Sequence, residues 1–297
     1  MKKSVRLPAF AKINLRLHVL DRKADGYHEL RTIFQAISLH DTLELWPSAS
    51  REISLEIDHS DLPADSTNLV WRAIDILHRE LGIKQGIRAH LTKRIPVARG
   101  LGGGSSDAAA AILGTLRLTG HELPLPRLLE IASSLGADVP FFLFGGRALG
   151  VNHGDEIYPL PDGRRQTLLV VSPHDVSVST KDAYAWLDER LTRGAIAPKI
   201  WGFCALCWSW QGSGIANDFE DAVFHRHARL RQIKRALLQG GAAEAALAGS
   251  GSAVFGVFQS PAQARRAARA FPKDEVFVTR TLSREEYRRA LLQRAVV

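Results

Sequence analysis

Between Gly100 and Asp107 the chain reads Gly-Leu-Gly-Gly-Gly-Ser-Ser-Asp, and an alanine-rich run from Ala108 to Leu118 follows at once. Glycine-rich loops bind phosphates because missing side chains let backbone N–H groups converge on an anion. A helix starting directly behind the loop adds the positive end of its dipole at the same spot. Ser105 and Ser106 contribute hydroxyls that can donate to phosphate oxygens or face a metal ion. A Gly/Ser linker would be polar on both sides, whereas this loop is clamped between an apolar strand, Ile87 to Leu91, and an apolar helix. The expectation is a phosphate-binding loop.

The loop does not match the commoner phosphate motifs. A Walker A loop ends in Gly-Lys-Ser/Thr, and no lysine is present here. The dinucleotide fingerprint needs glycine or alanine where Ser105 stands. The H-R-D and D-F-G elements of a protein kinase are absent as well.

The rest of the chain reads as a mixture of strands and helices. Residues 5–20 alternate as a strand, with Ile13, Leu15, Leu17 and Val19 on one face. Leu30 to Leu39 reads as a second strand, and Asp41 to Leu45 and Ile53 to Ile57 as further short ones. Asp65-Ser66-Thr67 offers helix caps, Leu69, Val70, Ala73, Ile74 and Leu77 keep helical spacing, and Gly82 closes the helix. A helix is expected from about Pro126 to Leu135, and the apolar, glycine-broken segment 141–151 reads as strand. The second half starts near Pro161, with a buried strand at Leu168–Val171 and a helix from Thr180. Asn217-Asp218-Phe219-Glu220 reads as a helix cap. Ala248-Gly249-Ser250-Gly251-Ser252-Ala253 is a second glycine turn, before the strand Val254 to Phe258. The last 40 residues alternate helix, strand and helix.

The net charge of +8 and a pI near 9.8 admit nucleic acid, an anionic membrane surface or an anionic small substrate as partner. The densest basic run, Arg265-Arg266-Ala267-Ala268-Arg269, has the spacing of a solvated helix face, so charge fits a polyphosphate-binding enzyme without singling one out. The two cysteines, Cys204 and Cys207, form one C-x-x-C with neither a second pair nor a His cluster to complete a zinc site. So few cysteines point to a reducing compartment. The apolar residues after Met1 alternate with Lys12, Asn14, Arg16 and His18, which fits neither a secretory segment nor a membrane helix of ~20 apolar residues. A cytoplasmic protein is expected. No uninterrupted heptad or obvious edge strand marks an oligomer interface, which leaves a monomer or a weak homodimer. Three of the six tryptophans, Trp201, Trp208 and Trp210, lie in the stretch 195–214, which reads equally as lid, partner surface or core.

The run Pro96-Val97-Ala98-Arg99-Gly100-Leu101-Gly102-Gly103-Gly104-Ser105-Ser106-Asp107-Ala108-Ala109 resembles the central motif of the GHMP kinases. Three further segments agree in order and spacing: Ala11-Lys12-Ile13-Asn14-Leu15 with Asp25-Gly26-Tyr27-His28, then Gly136-Ala137-Asp138-Val139-Pro140, then Leu247 to Ala253. Together they span residues 8 to about 258. The triple glycine and Gly26-Tyr27-His28 are similar to the branch that acts on a cytidine diphosphate-linked polyol. Two positions depart: Ala98 stands where the family usually has glycine, and Ala248 where it often has Ser or Thr. Alanine still permits close backbone approach, although it restricts positive φ.

The resemblance implies an α+β, two-domain GHMP kinase fold. Residues 1–160 would form a ribosomal-protein-S5-like ATP-binding domain, and 161–297 a ferredoxin-like C-terminal domain with the active site in the cleft. It implies ATP as phosphoryl donor, used with Mg2+, and a small-molecule acceptor rather than nucleic acid or membrane. Asp138 becomes the candidate general base and Lys12 the cation beside it. Without the motif, the plain readings would be a turn aspartate and a solvated strand lysine. Residues Pro96 to Ser106 would cradle ATP, with Asn68 and Lys93 on its adenine or phosphate side. Tyr27 and Tyr184 would stack on the cytosine, His28 would read its edge, and Asn14 would contact the polyol. No metal ligand is assigned.

Two other readings compete. A sister kinase for homoserine, mevalonate or a sugar would have no nucleobase for Tyr27 and His28. A non-catalytic nucleotide- or nucleic-acid-binding protein would suit the charge, but the aromatic residues are not interleaved with basic ones as a stacking platform requires.

Overall fold

Strand β1 (Val5–Arg22) carries the alternation expected of it: Ala11, Ile13, Leu15, Leu17 and Val19 are buried on one face, and Lys12 and Asn14 stand on the other. The computed structural model describes residues 4–22, 28–191 and 214–292. β1 pairs antiparallel with β2 (His28–Ser48), a single long strand that absorbs the separate short strand expected at 41–45. The register slips between Phe10 and Lys12 and again between Asn14 and Arg16. Such irregularities re-aim side chains, and here they bracket Lys12 and Asn14.

The first sheet grows outward from this hairpin. Beyond β3 (Ile53–Ile57), helix α1 (Leu69–Leu81) leads to β4 (Gly86–Thr92), which runs parallel to β3 and antiparallel to β2. The cap of α1 is Asn68, whose side chain accepts from the Val70 N–H at 2.9 Å, so the helix starts after the three residues expected to cap it. Helices α2 (Gly103–Thr119), α3 (Leu125–Leu135) and α4 (Val139–Phe144) cover the sheet together with α1. The expectation of strand across 141–151 is corrected. Pro140 sits in the first turn of α4, where its missing N–H is harmless, and the strand β5 (Arg147–Asn152) begins only after Gly145 and Gly146. β5 pairs with β2 and with β6 (Glu156–Pro159).

The second sheet is antiparallel throughout, in the order β11 (Glu275–Arg280), β7 (Thr167–Ser172), β10 (Val254–Phe258), β9 (Glu244–Leu247). Its outer face is covered by α5 (Thr180–Leu191), α6 (Phe219–Arg226), α7 (Ala228–Gln239) and α8 (Pro261–Ala268). Its inner face packs Leu168, Val170, Ala246 and Phe255 against Ala11, Ile13, Leu15 and Ile33 of the first sheet. Two elements cross between the layers. The short β8 (Ala216–Asn217) lies parallel to β1, and α9 (Arg284–Leu292) returns to the first core, where Tyr287 donates to the Phe142 carbonyl at 2.6 Å.

This is the expected α+β arrangement of a nucleotide half and a ferredoxin-like half. No helix among the described residues is long and apolar enough to cross a membrane. The Trp-rich stretch through residue 213, with Cys204 and Cys207, lies outside the described residues, as does Tyr27.

Candidate active site

Helix α2 begins inside the glycine loop, five residues earlier than its alanine run indicates. Gly102 is the cap, with φ of +72°, so Gly103, Gly104 and Ser105 present first-turn N–H groups that no helical carbonyl can reach. Ala108 to Ala111 are all buried, and these small side chains let α2 pack closely behind the loop. In front of it lies a cavity of about 360 Å3. Pro96, Val97, Ala98, Arg99, Gly100, Leu101, Gly102, Gly103, Gly104 and Ser105 line the cavity, with Asn68, Leu69 and Lys93 on its far side. Ser106 does not line it. Its hydroxyl is buried without a hydrogen-bond partner.

Three of these residues have tasks within the protein. Asn68 caps α1 and also donates to the Pro63 carbonyl at 2.9 Å. Arg99 turns to the other half, donating to the Val176 carbonyl and, at 2.7 Å, to the Ser252 hydroxyl. The Lys93 ammonium is buried between the carboxylates of Asp41 at 2.5 Å and Asp107 at 2.7 Å. Lys93 therefore brings no unpaired charge to the cavity. Burial pulls the lysine pKa down, but the two carboxylates outweigh it and hold it above the ordinary value. Burial, reinforced by the neighbouring Asp41 charge, pushes the Asp107 carboxyl up to about 8 even against Lys93. Asp41 also accepts from the backbone N–H groups of Arg94 and Ile95, fixing the chain where it leaves β4.

Lys12 reaches the loop from β1. Its backbone N–H donates to the Leu101 carbonyl at 2.9 Å, and its ammonium lies 3.3 Å from the Asp138 carboxylate and 3.0 Å from the Asn14 amide oxygen. Lys12 is buried, whereas the Asp138 side chain is one-third exposed at 33%. Asp138 precedes α4 but makes no capping hydrogen bond, so the plain reading of a turn-stabilising aspartate does not describe it. Asn14 is buried and donates to the Thr32 hydroxyl at 2.7 Å. Its visible work is to orient Lys12.

The second glycine turn closes on the first. A Cβ on Gly100, whose φ is +79°, would stand 1.9 Å from the Ala248 carbonyl oxygen, so only glycine fits there. The Ala253 N–H donates to the Arg99 carbonyl at 3.2 Å. Ala98 holds a φ of +55°, the left-handed conformation that alanine disfavours.

On the acceptor side, His28 and Tyr184 come together. Their rings stack at 5.2 Å with an interplanar angle of 16°, and the Tyr184 edge meets Phe219 at 4.9 Å. The His28 Nε2 atom lies 2.7 Å from the Asp188 carboxylate. Burial, with the Asp138 charge adding to it, raises the Tyr184 phenol pKa.

Residues 68–146 match the family described as GHMP kinases N terminal domain, and residues 200–275 match GHMP kinases C terminal. A 4-diphosphocytidyl-2-C-methyl-D-erythritol kinase of Solibacter usitatus is 44% identical over 295 residues, covering 98% of this chain and 92% of that protein. One of Geobacter sulfurreducens is 40% identical over 273 residues, covering 90% and 94%. The chain belongs to the GHMP kinases, in the 4-diphosphocytidyl-2-C-methyl-D-erythritol kinase family. A crystal structure of 4-(cytidine 5'-diphospho)-2C-methyl-D-erythritol kinase superposes with a TM-score of 0.78 at 32% identity, covering 93% of this kinase and 98% of that chain. A homoserine kinase of Cytophaga hutchinsonii, at 23% identity and a TM-score of 0.68, shares the fold.

This kinase is thus an ATP-dependent small-molecule kinase. Sequence reasoning did not single out Asp41, Asp188 or Asn217. Asp41, Lys93 and Asp107 are far apart in the chain and meet only through the sheet. Asp188 follows Tyr184 by one helical turn, a spacing that could have been noticed once Tyr184 was placed on a helix.

Proposed function

We propose that the kinase transfers the γ-phosphoryl group of ATP to the 2-hydroxyl of 4-diphosphocytidyl-2-C-methyl-D-erythritol, giving the 2-phosphate and ADP. The observation that carries the chemistry is the 3.3 Å pair of Lys12 and Asp138 beside the glycine loop. Asp138 accepts the hydroxyl proton as the acceptor oxygen bonds to the γ-phosphorus and the bond to the β-phosphate oxygen breaks. Lys12 holds the carboxylate in place by its charge and neutralises charge on the transferring group. The first-turn N–H groups of α2 and the loop from Pro96 to Ser106 hold the polyphosphate, and the cavity lined by Asn68 and Leu69 takes the nucleoside.

Among the described residues no three His, Cys, Asp or Glu side chains come together to hold a metal. The hydroxyl that would suit Mg2+ here is Ser105, which faces the cavity, with ATP itself supplying further oxygens. Bound with ATP, the ion supplies neutralisation of phosphate charge.

His28 and Tyr184 form the nucleobase end in this reading, with Tyr27 beside them in sequence. Asp188 holds His28 Nε2, so Nδ1 is the ring nitrogen left for a base edge. Residues 1–160 and 161–297 act as ATP-binding and C-terminal domains, and the reaction runs in the cytoplasm on a small-molecule acceptor. Purified kinase given Mg-ATP and the cytidyl acceptor tests this: ADP release supports the assignment, and its absence refutes the acceptor.

A further inference from the structure

The tetrapeptide Asn217-Asp218-Phe219-Glu220 reads in sequence as a helix cap, and Asn217 Oδ1 does accept from the Phe219 N–H at 3.0 Å. The rest of its contacts have nothing to do with a helix. Asn217 Nδ2 donates to the Leu247 carbonyl at 2.9 Å and to the Gly249 carbonyl at 2.7 Å, and the side chain is buried. Glu220 accepts from the Leu247 N–H at 2.9 Å. Asp218 faces the other way, accepting from the Val19 N–H at 3.0 Å and lying 3.3 Å from His18 Nδ1. Asn217, Asp218 and Glu220 thus fasten the glycine turn to β1, the strand that carries Lys12.

The turn they hold is next to the reacting centre. A Cβ on Gly249 would stand 3.5 Å from the Lys12 ammonium and 3.0 Å from the Gly100 carbonyl oxygen. A free peptide carbonyl at that place would be a competing acceptor for Lys12. Asn217 is buried and donates to the Gly249 carbonyl while also bonding the Leu247 carbonyl at the start of the turn. The N–H groups of Gly249 and Ser250 donate to no described atom.

We propose that Asn217 is a positioning residue for phosphoryl transfer. By holding the Gly249 carbonyl to itself, it reserves the Lys12 ammonium for Asp138 and the transferring phosphoryl group, and by fastening the turn to Leu247 it keeps the turn's N–H groups available to that group. Asn217 touches neither ATP nor acceptor in this account. The inference rests on Lys12 and Asp138 acting in transfer, and is independent of which acceptor is used.

The test compares N217S and N217D with L237A, which removes a core leucine of the same half away from the turn. Steady-state kinetics with any acceptor the wild type turns over should show kcat per folded enzyme falling tenfold or more in N217S, with KM for ATP within threefold. N217D, which sets a carboxylate against two carbonyls, should lose at least as much if it folds. L237A should lower the melting temperature while kcat per folded enzyme stays within twofold. A second readout needs no acceptor: vanadate binding to the Mg-ADP complex, a mimic of the transferring group, should weaken tenfold in N217S while ADP binding alone is unchanged. N217S with wild-type kcat and vanadate affinity, or with losses that only follow melting temperature as in L237A, would overturn the proposal. A wild type silent on every acceptor refutes the acceptor assignment and leaves the vanadate comparison to decide this one.

Discussion

The Lys12 ammonium lies 3.3 Å from the Asp138 carboxylate, at a point where β1 slips its register and the backbone of Lys12 is tied to the glycine loop through Leu101. A buried lysine beside a part-exposed carboxylate suits a base that must meet a substrate hydroxyl. Replacing either residue by alanine should lower kcat by about 10²–10⁴-fold, the range for loss of a positioned proton acceptor or its partner, with KM for ATP little changed. Near-normal turnover in both variants would remove this pair from the mechanism.

Asp107 makes a stability prediction with a definite sign. Its carboxyl is pushed up to about 8 from an ordinary 3.8, so the fold favours the neutral form. The stability this contributes is full below about pH 4 and is lost as pH rises through 8. D107N cannot ionise. The wild type should therefore lose stability relative to D107N between pH 5 and 8, at up to about 1.4 kcal/mol per pH unit. Chemical unfolding across that range measures it, and a constant difference would contradict it.

The same cluster predicts a larger loss at Lys93. K93M leaves Asp41 buried without its cation and Asp107 without its hydrogen-bond donor, a change expected to cost about 3–5 kcal/mol. Melting curves at neutral pH check this; a loss under 1 kcal/mol would mean that the ion pairs do not hold the loop.

How far the sequence reached depends on distance along the chain. The phosphate loop was legible because its glycines, serines and helix are contiguous. The start of α2 at Gly103 was not, because glycine is a poor helix former and only packing behind the loop fixes it there. Segment 139–144 was misjudged because Val-Pro-Phe-Phe-Leu-Phe is apolar all round and shows no period. Lys93 looked like a ligand for ATP because nothing local reveals that Asp41 and Asp107 converge on it. Ala98 adopts a φ of +55°, the conformation that alanine was expected to restrict, and only the fold around the loop shows that it is held there.

That alanine gives a graded series. In the left-handed region a β-branched residue is far less tolerated than alanine, so A98V should cost about 1–2 kcal/mol and raise KM for ATP. A98G relieves the strain but loosens the unfolded chain, opposing effects that should keep it within about 1 kcal/mol of the parent. Valine performing as well as alanine in thermal unfolding would contradict the assigned conformation.

At the nucleobase end, Asp188 holds His28, which stacks on Tyr184. D188A frees the imidazole and should raise KM for the cytidyl acceptor about tenfold, the worth of one good hydrogen bond, with KM for ATP unchanged. Equal changes in both constants would argue against a base-reading role.

The most direct test of the whole account is ADP release by the purified kinase with Mg-ATP, comparing 4-diphosphocytidyl-2-C-methyl-D-erythritol with mevalonate, homoserine and galactose. The account predicts turnover with the cytidyl substrate alone. Turnover with another acceptor in its place would contradict the reading of His28 and Tyr184, and silence with all four would refute the acceptor assignment.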